Sequence, residues 1–429
     1  MKTTVTVREY ARLTTEPVEK PTLDHAQVSA TAFDWLCHLN AGFSRSGTLK
    51  LVTMENRRWL KLDNYVGVVE TPCGTRLEIL PKHVEQGECA TSSRNLLKRM
   101  MATALDLPVR EAGVASLQVF EDTPLIEWVM GQFLRALDHL VKRGVRAAYW
   151  RIEAEERYLR GGLDVVRQMR QPPGRGHVFQ IRHDLFLYDR PENRLLKRAL
   201  EYVCHLTQTP AHWRLAQELR GLLQEIPASS DVNQDFKLWR TDRLMNHYQS
   251  VRPWCELILY RLMPLALAGN WRGISLLFPM EKLFERYVAI NLRRVLLADA
   301  RLTIQAASQY LCQHEGKKLF RLEPDLLIEH QQRRWVLDTK WKRLNAANRE
   351  DKYGLSQGDF YQLFAYGQKY LAGQGTLVLI YPRHPGFQEA LPRFYFNDNL
   401  NLWVLPFNLD TACLQQAESA GLPLREVGM

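Results

Sequence analysis

The chain has 429 residues, 46% of them hydrophobic and 24% charged. That describes a folded globular protein too long for one ordinary core, so two or three domains are expected. Its 57 Lys and Arg against 47 Asp and Glu leave a net charge of +10, which suits a polyanionic partner such as nucleic acid, although many basic proteins bind none. The seven cysteines form no CxxC pair, which argues against a disulfide framework or a structural zinc site and for reduced thiols.

"MKTTVTVREYARLTTEPVEK" has no signal-peptide core. No stretch approaches the roughly 18 apolar residues of a membrane span. A cytoplasmic chain without a membrane partner is therefore expected. "TVTVREY" alternates as a strand, and "DHAQVSATAFDWLCHLN" has helical spacing that ends near "AGFSRSG". Residues 49–83 read as several strands joined by turns, with "TPCGT" a hairpin loop. "SSRNLLKRMMATALDL" predicts a helix with a serine N-cap. "TPLIEWVMGQFLRALDHLVKRGV" predicts a strongly amphipathic one.

"YLRGGLDV" and "RQPPGRGHVFQIRHD" carry most of the local breakers, which places a boundary near residue 170. The loop "QPPGRGH" is not followed by a helix start, so it reads as a connector rather than a phosphate-binding loop. From "PENRLLKRALEYVCHL" to about 268 the pattern is helical. "FPMEKLFERYVAINLRRVLL" opens the last region with a helix. Strands follow at 324–330 and 334–342, then a helix at about 356–371 and a strand at 376–382. The expectation is an α/β protein, mixed α+β overall. It has a mixed strand/helix N-terminal domain (1–170), a connector and helical region (171–275), and a compact α/β module (276–429) whose strands are covered on both faces.

"EPDLLIEHQQRRWVLDTKWK" (323–342) places charges in or beside apolar strands. Asp338 and Lys340 fall on one face by alternation, with Val336. "HQQRR" is short enough for a hairpin, which would bring Asp325 to Asp338. Two carboxylates there repel unless a cation lies between them, and Mg²⁺ is satisfied by one or two carboxylates plus water and phosphate oxygens; Mn²⁺ is the alternative. Lys340 would orient or deprotonate a water, or stabilise charge on a phosphate. The set describes a hydrolytic phosphodiesterase site, against the plainer reading of a surface hairpin with a solvated Asp–Lys pair.

On the preceding helix, Glu281 and Glu285 share a face, and one of them, taken as Glu285, would add a third carboxylate to the metal. Gln362 and Tyr366, at i and i+4 on the following helix, would order the lysine, a water or a phosphate. The basic residues Arg333, Arg334, Lys342, Arg343, Arg349 and Lys352 flank the motif and would contact DNA phosphates. Trp335 and Trp341 read as packing residues.

Asp325, Asp338-x-Lys340 and Gln362-x3-Tyr366 resemble the PD-(D/E)xK nuclease superfamily in its RecB-like branch. "FPMEKLFERYV", "PDLLI", "VLDTKWK" and "YQLFAY", in that order, more narrowly resemble the McrC family, the nuclease subunits of McrBC-type, modification-dependent restriction systems. "YLRGGLDV", "ENRLLK" and "LEILPK" fit more loosely. Glu281 departs from the pattern, since the family more often has an uncharged polar residue there.

The resemblance implies a C-terminal PD-(D/E)xK restriction-endonuclease-like core that cuts both DNA strands. It implies an N-terminal part that engages a McrB-like hexameric AAA+ GTPase and stimulates its GTP hydrolysis. The partner would read modified cytosine. The chain has no G-x-x-x-x-G-K-[ST] loop and no G-x-G-x-x-G fingerprint, so no nucleotide is expected on it. Neither HExxH nor G-x-S-x-G occurs, which leaves zinc-hydrolase and serine-hydrolase readings without support. The alternative is a non-catalytic adaptor with a nuclease-like fold that only binds and stimulates an AAA+ NTPase.

Overall fold

The alternating N-terminal run forms strand β1 (Thr4–Arg8), and the short apolar stretches after it form β2 (Arg12–Thr14) and β3 (His25–Gln27). Helix α1 (Ala30–Arg45) follows, then β4 (Val52–Asn56), β5 (Trp59–Leu62), β6 (Tyr65–Glu70) and β7 (Arg76–Leu80). The computed structural model describes residues 4–45, 51–56, 58–83, 89–109, 123–172, 174–262 and 275–425. "TPCGT" closes the β6–β7 hairpin, with the Thr71 N–H donating to the Thr75 carbonyl at 2.9 Å. The expected helix end at "AGFSRSG" falls partly on residues 46 and 47, outside the described residues.

Helix α2 (Ala90–Ala104) begins ahead of the expected serine cap. Cys89 occupies the N-cap position, and the N–H groups of Ser92 and Ser93 already donate to its carbonyl. The serines are therefore first-turn residues, and Ser93 is buried.

The chain divides into two compact units, one of residues 1–107, 115–125 and 264–429, the other of residues 108–114 and 126–263. The reason the first unit joins both ends of the chain is strand pairing. Strand β11 (Ser275–Pro279) lies antiparallel to β6, extending a sheet of order β1-β7-β6-β11. Gly67 makes this approach possible. Its φ is +127°, and a Cβ there would lie 1.8 Å from the Leu276 carbonyl oxygen, a contact no other residue could accept. Leu13 and Leu60 of a second sheet, β3-β2-β5-β4, share a core with Leu36 of α1.

The second unit contains helix α3 (Leu125–Arg143), whose last residues are basic as the helix dipole favours. It also holds β8 (Ala148–Glu156), β9 (Gly162–Leu163), α4 (Val165–Met169) and β10 (Phe179–Leu187), with sheet order β8-β10-β9. Then come α5 (Pro191–Leu206), α6 (Pro210–Leu222), α7 (Val232–Leu238) and α8 (Arg252–Leu257). The predicted helical stretch runs on to about 268, and residues 263–268 lie outside the described residues.

The boundary expected near 170 falls inside this unit. Across the Gly/Pro-rich connector, Gln168 donates to the Val178 carbonyl at 3.1 Å and accepts from the Gln180 N–H at 2.8 Å. The breakers form a loop tied back onto one sheet rather than a linker. Among the described residues no helix is long and apolar enough to cross a membrane.

The C-terminal part of the first unit opens with α9 (Met280–Val295), then β12 (Arg301–Ile304) and the hairpin of β13 (Gln309–His314) with β14 (Lys317–Leu322). It continues with β15 (Leu326–His330), β16 (Arg333–Thr339), α10 (Gln357–Tyr370), β17 (Gly375–Pro382), β18 (Phe394–Tyr395), β19 (Leu400–Asn408) and β20 (Cys413–Leu414). These make a seven-stranded mixed sheet of order β12-β15-β16-β17-β19-β18, with β20 on β19. The chain is thus the mixed α/β protein expected. The β15–β16 turn is the two residues Gln331 and Gln332, with φ of 46° and 65°, the left-handed pair that suits the twist of a tight hairpin. From β16 the chain crosses through α10 to β17, which lies parallel to it, so the middle strands are buried on both faces as their apolar runs require.

Candidate active site

The hairpin register sets Leu326 opposite Leu337. One step further out, Asp325 and Asp338 face each other at the end of the sheet away from the turn. Pro324, just before Asp325, has no N–H to donate and sits ahead of the strand. The Asp325 Oδ2 accepts from the Thr339 N–H at 2.8 Å and from its hydroxyl at 2.7 Å. Thr339 thereby fixes one carboxylate from the strand that carries the other.

Asp338 is 2% exposed. Burial, and after it the charge of Asp325, pushes its carboxyl up to about 7. Its Oδ2 has no well-aligned hydrogen bond; the Lys340 Nζ lies 2.6 Å from it as an ion pair. Burial alone would depress the Lys340 ammonium, but Asp338, Asp359 and Asp325 outweigh it and hold the pKa above its ordinary value. Asp359, in the first turn of α10, stands 3.9 Å from the same Nζ. Lys340 is therefore a cation beside the carboxylates, which fits charge stabilisation better than proton abstraction.

Gln362 and Tyr366 meet as their spacing requires, the amide donating to the phenol oxygen at 2.6 Å. The hydroxyl in turn donates to the Glu323 carbonyl at 3.1 Å. Burial, then the charge of Asp338, pushes Tyr366 up to about 12. The pair braces the backbone two residues before Asp325 and holds its own protons.

Glu285 is 3% exposed, and both its oxygens are engaged. Oε2 accepts from Lys282 Nζ at 2.7 Å and Oε1 from Gln305 Nε2 at 2.9 Å. Gln305 also donates its N–H to the Asp325 carbonyl at 2.8 Å. Glu285 thus reaches the site through Gln305 and is not gathered with the two aspartates. Glu281 is exposed and lines a cavity with Glu9, Lys82, Trp341, Lys342 and Arg343.

The basic residues divide. Arg333 and Arg334 start β16, so the strand carries them to the end opposite Asp338, where Arg334 pairs with Glu329 at 2.9 Å. They do not flank the carboxylates. Lys342 and Arg343 come just after Lys340 and Trp341 and stay at the carboxylate end, Lys342 donating to the Gly354 carbonyl at 2.6 Å. Lys352 borders a small cavity of about 300 Å³ with Phe360 and Phe394, and Arg349 is exposed in the same loop. Both tryptophans are packing residues: Trp335 donates to the Ala420 carbonyl at 3.0 Å, and Trp341 lies 5.2 Å from the Phe284 ring.

A large cavity of about 980 Å³ opens at the Arg333 end, far from the carboxylates. The titratable groups that converge lie at the opposite end of the sheet from that volume. Lys282, Gln305, Thr339 and Asp359 belong to the site and were not singled out from sequence. Only Lys282, one helical turn before Glu285, carried a local signal.

Among the described residues no three His, Cys, Asp or Glu side chains gather closely enough to hold a metal. The donors that do meet are two carboxylates, one of them buried and paired with Lys340. Hard oxygen donors, few in number, suit Mg²⁺, which keeps several waters.

Fold and site together define a mixed α/β protein with an Asp–Asp–Lys set at one end of a central sheet. A family model described as "McrBC 5-methylcytosine restriction system component" matches residues 60–382, well over half of the chain, and the chain belongs to this family. No curated protein matches the chain. Among solved structures it is similar to a chain of the Thermococcus gammatolerans assembly of McrB AAA+ hexamers with bound McrC. The identity is 21% and the TM-score 0.74, over 97% of this chain and 98% of that one. A chain of the Thermococcus gammatolerans McrBC complex is 23% identical with a TM-score of 0.54, over 68% of this chain and 88% of that one. At these identities the likeness is one of fold.

Proposed function

We propose that the chain is the Mg²⁺-dependent DNA endonuclease subunit of an McrBC-type restriction system acting on DNA with modified cytosine. Its C-terminal sheet is read as a PD-(D/E)xK core. A hexameric AAA+ GTPase partner delivers double-stranded DNA, and this chain stimulates the partner's GTP hydrolysis. The observation that carries the reading is the convergence of Asp325, Asp338 and Lys340, with the buried Asp338 carboxylate facing the Lys340 ammonium.

Asp325 and Asp338 would hold Mg²⁺, or Mn²⁺ in its place, and the bound ion would acidify a water and polarise the phosphodiester. Lys340, kept cationic by its neighbours, stabilises charge developing on the phosphate oxygens. Thr339 and Gln305 fix Asp325, and the Gln362–Tyr366 pair fixes the backbone before it. Lys342 and Arg343 contact the DNA backbone beside the cut.

The partner surface is assigned to the three-stranded sheet of the second unit. There Tyr149 and Phe186, opposite each other in the β8–β10 register, expose 74% and 56% of their surface with ring centroids 4.9 Å apart. Trp150 and Tyr188 are exposed beside them. Exposed aromatics grouped in this way mark interaction sites.

The adaptor reading draws on one observation, the engagement of Glu285 with Lys282 and Gln305 in place of a three-carboxylate set. One mixture separates the two readings: the chain, its AAA+ partner, DNA with modified cytosine, GTP and Mg²⁺. Double-strand cleavage that needs all five components supports the nuclease. Stimulated GTP hydrolysis with intact DNA overturns it in favour of the adaptor.

A further inference from the structure

Glu9 lies 332 positions from Trp341 in sequence, yet the two side chains meet. The Glu9 Oε1 accepts from the Trp341 indole N–H at 2.6 Å and from the Lys82 N–H at 2.7 Å. Glu9 is fully buried. Burial outweighs these two hydrogen bonds and the charges of Lys82 and Arg343, and pushes its carboxyl up to about 7. A buried carboxyl is costly unless it is hydrogen-bonded, so the Trp341 and Lys82 donors are what hold Glu9 in place.

The backbone around Glu9 is built to deliver it. Its N–H donates to the Leu80 carbonyl at 2.9 Å. The next residue, Tyr10, takes a φ of 63°, a left-handed conformation that costs an aromatic residue about 1 kcal/mol or more. Beside it, Arg8 holds Asp24 with contacts of 2.7 and 2.5 Å. The end of β1 is thus clamped from two sides, and the strained turn aims Glu9 at the C-terminal sheet.

On the other side, β16 ends at Thr339 and the chain leaves the sheet as it carries Lys340 out. Two kinds of contact direct that exit. The Lys340 N–H donates to the Ile380 carbonyl at 2.9 Å, and the Trp341 ring is held between Phe284 and Glu9. Adjacent residues in extended chain point to opposite sides, so anchoring the Trp341 indole fixes the opposite-facing side chain of Lys340.

We propose that Glu9 is a positioning residue for DNA cleavage, pinning the Trp341 indole and thereby setting where the chain presents Lys340 beside Asp338. The inference rests on the reading of Lys340 as the working cation. It also gives the N-terminal strand a part in the chemistry carried out at the other end of the chain.

The test compares wild type, Glu9→Gln, Glu9→Ala, Trp341→Phe and the Glu9→Ala/Trp341→Phe double variant, each full length with the AAA+ partner, GTP, Mg²⁺ and modified DNA. Single-turnover cleavage, half-saturating DNA and GTP hydrolysis are measured together. Glu9→Gln keeps the acceptor and should cut at close to the wild-type rate. Glu9→Ala and Trp341→Phe should each slow cleavage by about 10- to 100-fold, the scale of a misplacement near 1 Å. Half-saturating DNA and GTP hydrolysis should stay unchanged, and the double variant should be no slower than the slower single one, because both remove the Glu9–Trp341 contact.

A wild-type rate for Trp341→Phe, losses that multiply in the double variant, or a loss confined to half-saturating DNA would each overturn the positioning role. If Glu9→Ala fails to fold, Trp341→Phe still decides: it removes the donor along with the pyrrole ring, and its loss should fall on the cleavage step alone. Absence of cleavage by the wild type overturns the nuclease reading itself, a result distinct from cleavage that is indifferent to Glu9.

Discussion

The seven-stranded sheet of the first unit and the three-stranded sheet of the second use the same residue types in opposite ways. In β16 the residues from Trp335 to Thr339 are all buried, and the charged Asp338 is buried among them. In β8 the aromatic residues Tyr149 and Trp150 face outward, and the charges pair over the surface, Arg182 with Glu153 at 3.2 Å and Arg167 with Glu153 at 2.7 Å. A charge kept inside and an aromatic kept outside are both costly, so each marks a place where folding was not the only constraint. The first points to chemistry and the second to a partner.

The largest effects should come from the buried charge. Asp338→Ala removes the buried carboxylate paired with Lys340, and DNA cleavage should be lost while stimulation of the partner's GTP hydrolysis persists. Cleavage at the wild-type rate at low Mg²⁺ would end the assignment. Lys340→Ala keeps both carboxylates and should slow the cleavage step by roughly 10²–10⁴-fold. If that variant cuts normally and only binds DNA less well, Lys340 is a phosphate contact and the site has lost its cation.

The exposed sheet should answer differently. Replacing Tyr149 and Phe186 by alanine removes the paired rings without touching a buried residue. Partner binding should weaken by about 10- to 100-fold, the scale of truncated aromatic anchors at an interface, and the melting temperature should hardly move. A titration of the variant against the AAA+ partner reads this directly. Unchanged affinity would return the search for the interface to residues 1–107, and the contrast between the two sheets would lose its functional meaning.

Some of this contrast was legible in the sequence. The apolar alternation around Asp338, the five residues of "HQQRR" and the i, i+4 spacing of Gln362 and Tyr366 are local patterns, and local patterns fix strand faces, tight turns and helix faces. Arg333 and Arg334 show the limit. They are as close in sequence to Asp338 as Arg343 is, but an extended strand moves about 3.3 Å per residue and carries them to the other end of the sheet. The pairing of β11 with β6 left no trace that could be read, because a long-range register has no period. The three-stranded sheet was hidden by its own turns, whose Gly and Pro residues imitate a linker. Gln305 and Thr339 act through backbone and hydroxyl contacts that residue type alone does not announce.

The smallest predicted effect concerns protonation of the site in protein freed of divalent ions. Folding raises the Asp338 carboxyl from near 3.8 to about 7, so the folded state favours its protonated form. The stability this contributes is complete below the unfolded pKa, declines as pH rises above it, and is gone above about 7. Asp338→Asn cannot ionise and escapes that decline. Without divalent ions the variant should therefore melt a few degrees higher than wild type at pH 8, with the gap closing towards pH 4. Adding Mg²⁺ at pH 8 should raise the melting temperature of wild type and leave the variant where it is, since the ion binds the carboxylate that the variant lacks. Parallel melting curves for the two proteins across this pH range would mean that Asp338 titrates as an ordinary carboxylate. A Mg²⁺ shift of equal size in both would place the ion elsewhere.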